Sequence, residues 1–136
     1  MMTRPSMSAR LSAPIQFSVG ANKLLAEGWR VFALDLSAAA LATLGEDSGG
    51  RLTALECDVS REESVARAFG EIACAAPALD ALVCSAGVLR TSPLLSMASA
   101  DFDLLFAVNT RGPWLCARAA YPLLKAAARV DAPRGS

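Results

Sequence analysis

Short apolar runs alternate along this chain with longer stretches of helical period. Trp29 to Leu34 and Leu79 to Cys84 are nearly continuous in apolar residues, with Ala81 to Val83 at the heart of the second. A run without alternation suits a strand covered on both faces, as in a parallel sheet. Arg51 to Cys57 reads as another strand, with Leu52, Ala54 and Leu55 inward. Between the runs, Ala21 to Glu27 reads as a short helix closed by Gly28. Ser37 to Leu44 reads as a second helix, and Glu46 to Gly50 as a polar, glycine-rich loop. Glu62 to Ala75 gathers Val65, Ala68, Phe69 and Ile72 on one helical face, and Ser60 with Glu63 three residues on has the form of a capping box. A helix over Ser99 to Phe106 runs into a longer one over Ala107 to Arg129, whose apolar face includes Val108, Leu115, Cys116, Ala120, Leu123 and Leu124. Met1 to Pro14 is polar, with two prolines and no period, and reads as an irregular arm.

The expected fold class is therefore α/β: an incomplete, doubly wound parallel sheet of three to four strands with helices on both faces, forming one domain over residues 1–136. A 136-residue chain that is 54% hydrophobic can bury a substantial core. A formal net charge of zero leaves no electrostatic footprint for nucleic acid or an anionic membrane. No apolar run reaches the ~18 residues of a membrane span, and no secretory leader follows the two arginines of Met1 to Arg10. The four cysteines, Cys57, Cys74, Cys84 and Cys116, form no C-x-x-C pair and sit in apolar contexts. They read as buried free thiols of a cytoplasmic protein. The chain has no histidine, which argues against a metal site and removes Ser-His-Asp and Cys-His catalysis within it.

The polar residues worth weighing lie at the carboxyl ends of the strands, where open α/β sheets bind ligands. Asp35 follows one strand and Asp58 another, and Ser85-Ala86-Gly87 follows the third. Each has a plain structural role available: Asp35 can cap the next helix, Asp58 can start a turn, and three small residues can make a tight turn. Asn109 lies four residues before Pro113, which has no N–H, so the Asn109 carbonyl loses its usual helical partner. A simple helix kink accounts for that pattern as well.

Four segments in order resemble the short-chain dehydrogenase/reductase family over about Gly20 to Arg129. Leu24 to Asp35 looks like the end of its first helix and its second strand, and Cys57-Asp58-Val59-Ser60 like the end of its third strand. Cys84-Ser85-Ala86-Gly87 resembles the Asn-Asn-Ala-Gly segment that ends its fourth strand, and Val108-Asn109-Thr110-Arg111-Gly112-Pro113 its long interface helix. The resemblance implies a Rossmann-like sheet that binds NAD(P) and an oxidoreductase acting on a small-molecule carbonyl or alcohol. It places Gly20, Asp35, Asp58, Val59, Ser85, Ala86 and Gly87 at the cofactor, with Asp35 favouring NAD over NADP. Asn109 becomes a catalytic residue whose main chain holds a water of the proton relay. The helix of residues 107–129 becomes a contact between subunits of a homo-oligomer.

The chain departs from the family in two places. The glycine-rich phosphate loop, Thr-Gly-x-x-x-Gly-Ile-Gly in the family, aligns best with Ala13 to Gly20, where only Gly20 survives. Ile15 to Val19 is expected to be irregular or a short strand, and NAD binding to be weak or absent. Tyr121-Pro122-Leu123-Leu124-Lys125 fits the family's Tyr-x-x-x-Lys expression but lies in the helix that holds Asn109, before any fifth strand. Tyr121 is read as a packing residue, and the catalytic Ser and Tyr-Lys unit as missing from a truncated or inactive form. Two other readings stay open: a non-catalytic Rossmann fragment that acts by association with another chain, and a methyltransferase-type nucleoside-binding domain. With a poor first strand beside it and no fifth strand, the strand ending at Cys84 is expected to be poorly flanked, and the chain to self-associate or fold only marginally.

Overall fold

The computed structural model describes residues 7–11, 16–37, 41 and 49–130. Four strands form one sheet in the order β3-β2-β1-β4. They are β1 (Met7–Leu11), β2 (Arg30–Asp35), β3 (Leu52–Glu56) and β4 (Ala81–Cys84). All three pairings are parallel, and Ala9 of β1 stands between Phe32 of β2 and Leu82 of β4. Stretches of chain between parallel neighbours must cross over, and helices α1 (Gln16–Ala26) and α2 (Glu62–Ala75) lie in two of these crossovers.

The strand β1 corrects the expectation of an irregular arm over residues 1–14. Met7–Leu11, Met-Ser-Ala-Arg-Leu, contains no β-branched residue and still occupies a central place in the sheet. Ladders on both sides supply what propensity does not. Residues 12–15 lie outside the described set. The helix expected to begin at Ala21 begins instead at Gln16, so Gln16 to Val19 is helical rather than irregular or a strand, and Ile15 lies outside the described residues. The helix expected over Ser37 to Leu44 also lies largely outside them.

Period-2 alternation in β2 divides the core. Phe32 and Leu34 face a large cluster with Val65, Ala68, Phe69 and Ile72 of α2, while Ala33 meets Ala21 of α1 and Leu41 on the other face. Residues Val31 to Leu34 are all fully buried, as a strand covered on both faces should be. The last strand does not meet that expectation: Ala81 to Val83 are only half-buried and Cys84 is exposed, because β4 ends the row and has β1 on one side only. The four apolar residues expected on one face of α2 are its buried ones.

Helix ends are tied off at the amino ends of the strands. Gly28, at φ +86°, takes the left-handed position after α1, with Gly28 N–H donating to Leu25 and Trp29 N–H to Leu24. Arg51 donates to the Leu25 carbonyl at 3.1 Å and Arg30 to the Ala75 carbonyl at 3.0 Å, so each guanidinium sits at the negative end of a helix. After β4 the chain makes a short 3-10 turn, Leu94–Ser96, then α3 (Ser99–Phe106), a π-helical turn (Ala107–Arg111) and α4 (Gly112–Val130). Leu115, Cys116 and Ala120 of α4 are buried against the α2 side of the core. Arg118 of α4 pairs with Glu62 of α2.

Because β1 has a neighbour on each side, a proline at Ala9 removes a ladder hydrogen bond whichever neighbour its N–H faces. Ala9→Pro is expected to abolish the cooperative thermal transition, whereas Gly28→Ala, which meets no neighbour and suffers only from the positive φ, should cost about 1 kcal/mol in urea unfolding. A cooperative Ala9→Pro protein would remove β1 from the sheet.

Candidate functional site

A crevice of about 80 Å³ opens at the carboxyl ends of β2, β3 and β4. Leu34, Asp35 and Leu36 line it from β2, Cys57, Asp58 and Val59 from β3, Ala86, Gly87 and Val88 from β4, and Val108 from the π turn. The sheet therefore brings together Asp35, Asp58, Val59, Ala86 and Gly87, five of the residues singled out in the sequence. Ser85 is exposed directly after β4 and is not among the lining residues. Gly20 stands apart from the role expected of it: it is the fifth residue of α1, in helical conformation, not a loop glycine before a helix. No glycine occurs between Leu11 and Gln16, where the chain passes from β1 to α1.

Both aspartates organise local turns as well as lining the crevice. Asp35 Oδ1 accepts from the Ser37 N–H at 3.0 Å. Asp58 Oδ1 accepts from the Ser60 N–H at 2.9 Å and from Ser60 Oγ at 2.6 Å, and the Asp58 N–H donates to Ser64 Oγ at 3.0 Å. The expected capping box is not made: Ser60 spends its hydroxyl on Asp58, and Arg61 precedes α2 without a side-chain cap. An aspartate two residues before an N–H competes well for it, which explains the substitution of one motif by the other.

Asn109 lies inside the π turn, and its side-chain amide grips the chain beyond Gly87. Its Oδ1 accepts from the Val88 N–H at 2.8 Å and its Nδ2 donates to the Val88 carbonyl at 2.9 Å. The Gly112 N–H reaches back five residues to the Ala107 carbonyl, so the helix is widened here. Pro113 supplies no N–H to Asn109, so the irregularity anticipated from those two residues is present. The approach to the backbone that the small residues after β4 permit is made by Asn109 itself, whose Oδ1 would lie 3.5 Å from a Cβ on Gly87.

Tyr121 and Lys125 are not among the crevice residues. Tyr121 is exposed rather than packed, with Lys125 Nζ 5.7 Å from its ring centre. The cysteines also divide. Cys57 and Cys116 are buried, but Cys74 and Cys84 are exposed, contrary to a uniform burial of thiols, because Cys74 lies on the outer face of α2 and Cys84 at the open end of β4. Burial pushes the Cys57 thiol up, and pushes Cys116 to about 12, with Cys84 and Cys57 adding to the effect. Among the described residues no group of three or more His, Cys, Asp or Glu side chains is placed to hold a metal ion, and no helix is long and apolar enough to cross a membrane.

A parallel sheet in this order, with crossover helices and a crevice at the carboxyl ends of its strands, defines a Rossmann-like α/β fold. Residues 18–130 match the family profile described as enoyl-(acyl carrier protein) reductase, and the chain belongs to the short-chain dehydrogenase/reductase family, whose members bind NAD(P). It is 38% identical over 115 residues to a cis-1,2-dihydrobenzene-1,2-diol dehydrogenase of Pseudomonas putida, covering 76% of this chain and 39% of that protein. It is 35% identical over 103 residues to a D-threitol dehydrogenase of Mycolicibacterium smegmatis, covering 73% of this chain and 39% of that one. Among solved structures, it superposes on the sorbitol-6-phosphate 2-dehydrogenase of Erwinia amylovora with a TM-score of 0.75 and 26% identity, over 86% of this chain and 48% of the other. The chain thus spans less than half the length of these relatives.

Two outcomes test the site. Asn109→Ala removes two hydrogen bonds to one residue and is expected to lower stability by about 1–3 kcal/mol in urea unfolding. Cys116 has its pKa raised from an ordinary 9.0 to about 12, so the folded state favours the neutral thiol. That contribution is fully present below pH 9.0 and is lost as pH rises towards about 12. The melting temperature of the wild type should therefore fall more steeply over that range than that of Cys116→Ala.

Proposed function

We propose that this chain forms the nucleotide half of an NAD(P)-dependent oxidoreductase and takes the adenosine end of NAD in its crevice. The observation that carries the reading is the convergence of Asp35, Asp58, Val59, Ala86 and Gly87 on one crevice. Its chemistry fits adenosine: apolar walls from Leu34, Val59, Ala86 and Val108 suit a purine face, and two carboxylates accept from ribose hydroxyls or an amine. Asp35, at the end of β2, suits the ribose 2′-hydroxyl and repels a 2′-phosphate, which favours NAD over NADP. When bound, the nicotinamide supplies hydride chemistry towards a small alcohol or carbonyl. The residues of this chain bind and orient the adenosine end, and Asn109 fixes the chain beyond Gly87 and stands as the relay residue of the resemblance.

The pyrophosphate half is the weaker fit. A dinucleotide fold approaches that group with glycine backbone at a helix N-terminus, and Gly20 lies a turn inside α1. Weak binding of the whole cofactor and no turnover by this chain alone are the expected properties. The family match favours this reading over a methyltransferase-type domain, which stays as the competing outcome. Trp114 and Tyr121 are exposed on α4 and support assembly with a second copy through the helical face of residues 107–129.

Titration with NADH by fluorescence and with S-adenosylmethionine by calorimetry separates these readings. NADH is expected to bind with a dissociation constant well above the low micromolar range, and S-adenosylmethionine not at all; tight binding of the latter overturns the proposal. Asp35→Asn, by loss of one charge-assisted bond, should weaken ADP-ribose about tenfold and narrow its advantage over the 2′-phosphorylated analogue. Light scattering on a size-exclusion column is expected to show a dimer or larger species.

A further inference from the structure

We propose that Arg111 is a positioning residue for the crevice: from the π turn it holds, through the Ser60 carbonyl, the turn that carries Asp58 and Val59. Arg111 Nη2 donates to the Ser60 carbonyl at 2.6 Å, across 51 residues of sequence. Ser60 is the far end of the turn closed by Asp58, which takes both its N–H and its hydroxyl. A pull on the Ser60 carbonyl is thus transmitted to the Asp58 carboxylate, a wall of the crevice. The next residue along the helix seats the same turn by contact. A Cβ on Gly112 would lie 3.0 Å from Val59 Cγ2, 3.2 Å from its Cβ and 3.4 Å from its carbonyl oxygen, so α4 is pressed against Val59.

The π turn therefore grips the crevice from two sides. Asn109 holds Val88 on the β4 side, and Arg111 with Gly112 holds residues 58–60 on the β3 side. Val108, immediately before Asn109 in the same turn, lines the crevice itself. Arg118, about two helical turns beyond Arg111, makes the separate α2–α4 link to Glu62 and is not among the residues lining the crevice. A general tie between two helices and a specific hold on the turn are thereby carried by different arginines.

Hydrogen exchange measured by mass spectrometry on Arg111→Met, Arg111→Lys and Arg118→Met tests this. Arg111→Met should speed exchange in a peptide covering residues 57–61 about tenfold, with Arg111→Lys in between and Arg118→Met within about twofold of wild type. The proposal is overturned if Arg111→Met leaves that peptide within about twofold, if residues 62–75 accelerate equally, or if Arg118→Met has the same effect. If Arg111→Met does not fold, the charge-retaining Arg111→Lys decides by the same comparison against Arg118→Met. A second arm rests on the nucleotide reading: ADP-ribose should bind Arg111→Met at least about fivefold more weakly, and Arg118→Met unchanged. Absence of ADP-ribose binding to the wild type would overturn the nucleotide reading, while the exchange result would still decide the role of Arg111.

Discussion

A strand sealed on both faces has no water for its amides, so every N–H and C=O along it must be met by a neighbouring strand. In this chain that constraint falls on β2, where Val31 to Leu34 are buried beneath α1 on one side and α2 and α4 on the other. One ladder comes from β3, and the other must come from outside the three apolar runs. Met7–Leu11 meets it in register, from Met7 against Arg30 to Leu11 against Leu34. The central place of so ordinary a pentapeptide follows from the needs of its neighbour. The crevice follows in turn, because a parallel row fixes all its carboxyl ends on one side, and there Asp35, Asp58 and Gly87 come within reach of one ligand.

The second constraint is the proline at 113. It removes an N–H from the helix just after Asn109, and the helix responds with a wide turn over Ala107–Arg111 before α4 resumes. A regular helix would spend its backbone groups wholly on itself and present side chains at a fixed pitch. The wide turn instead lays Asn109 against Val88 and Gly112 against Val59. Its other face leaves Phe106, Thr110 and Trp114 around an open groove of about 750 Å³ that Arg111 also lines. One irregular turn therefore borders both the crevice and a groove with the exposed aromatic rings of Phe106 and Trp114 on its walls.

Legibility in the sequence followed how local each signal was. Gly28 marked the end of α1 because a left-handed residue after a helix has few other occupants, and the burial of Val65, Ala68, Phe69 and Ile72 could be read from spacing alone. Asp35, Asp58 and Gly87 were legible because they lie at or just beyond the carboxyl ends of strands. The first strand was not, since its place depends on ladders with β2 and β4, and nothing within Met7–Leu11 announces them. The capping box failed for a related reason. Ser60 could serve the helix or Asp58, and spacing does not say which partner is nearer. Arg111 was missed altogether, because a bond to a carbonyl 51 residues away leaves no mark in either segment.

The two halves of a dinucleotide make different demands, and on the proposed reading this chain answers them unequally. In the proposed mode adenosine is held by side chains and apolar walls at strand ends, so single residues such as Asp35 and Val59 would retain that end whatever happens nearby. The pyrophosphate is held by backbone N–H groups brought close by glycines, so the local chain must be shaped as a whole. With no glycine from Leu11 to Gln16 and with Gly20 inside α1, the chain lacks the residues that make such a close approach inexpensive. The grips of Asn109, Arg111 and Gly112 on Val88 and residues 58–60 all lie at the walls of the crevice proposed for adenosine. Order in this site is therefore concentrated at the end where side chains suffice, and it is supplied by a helix turn that lies some fifty residues beyond the nearer aspartate in sequence.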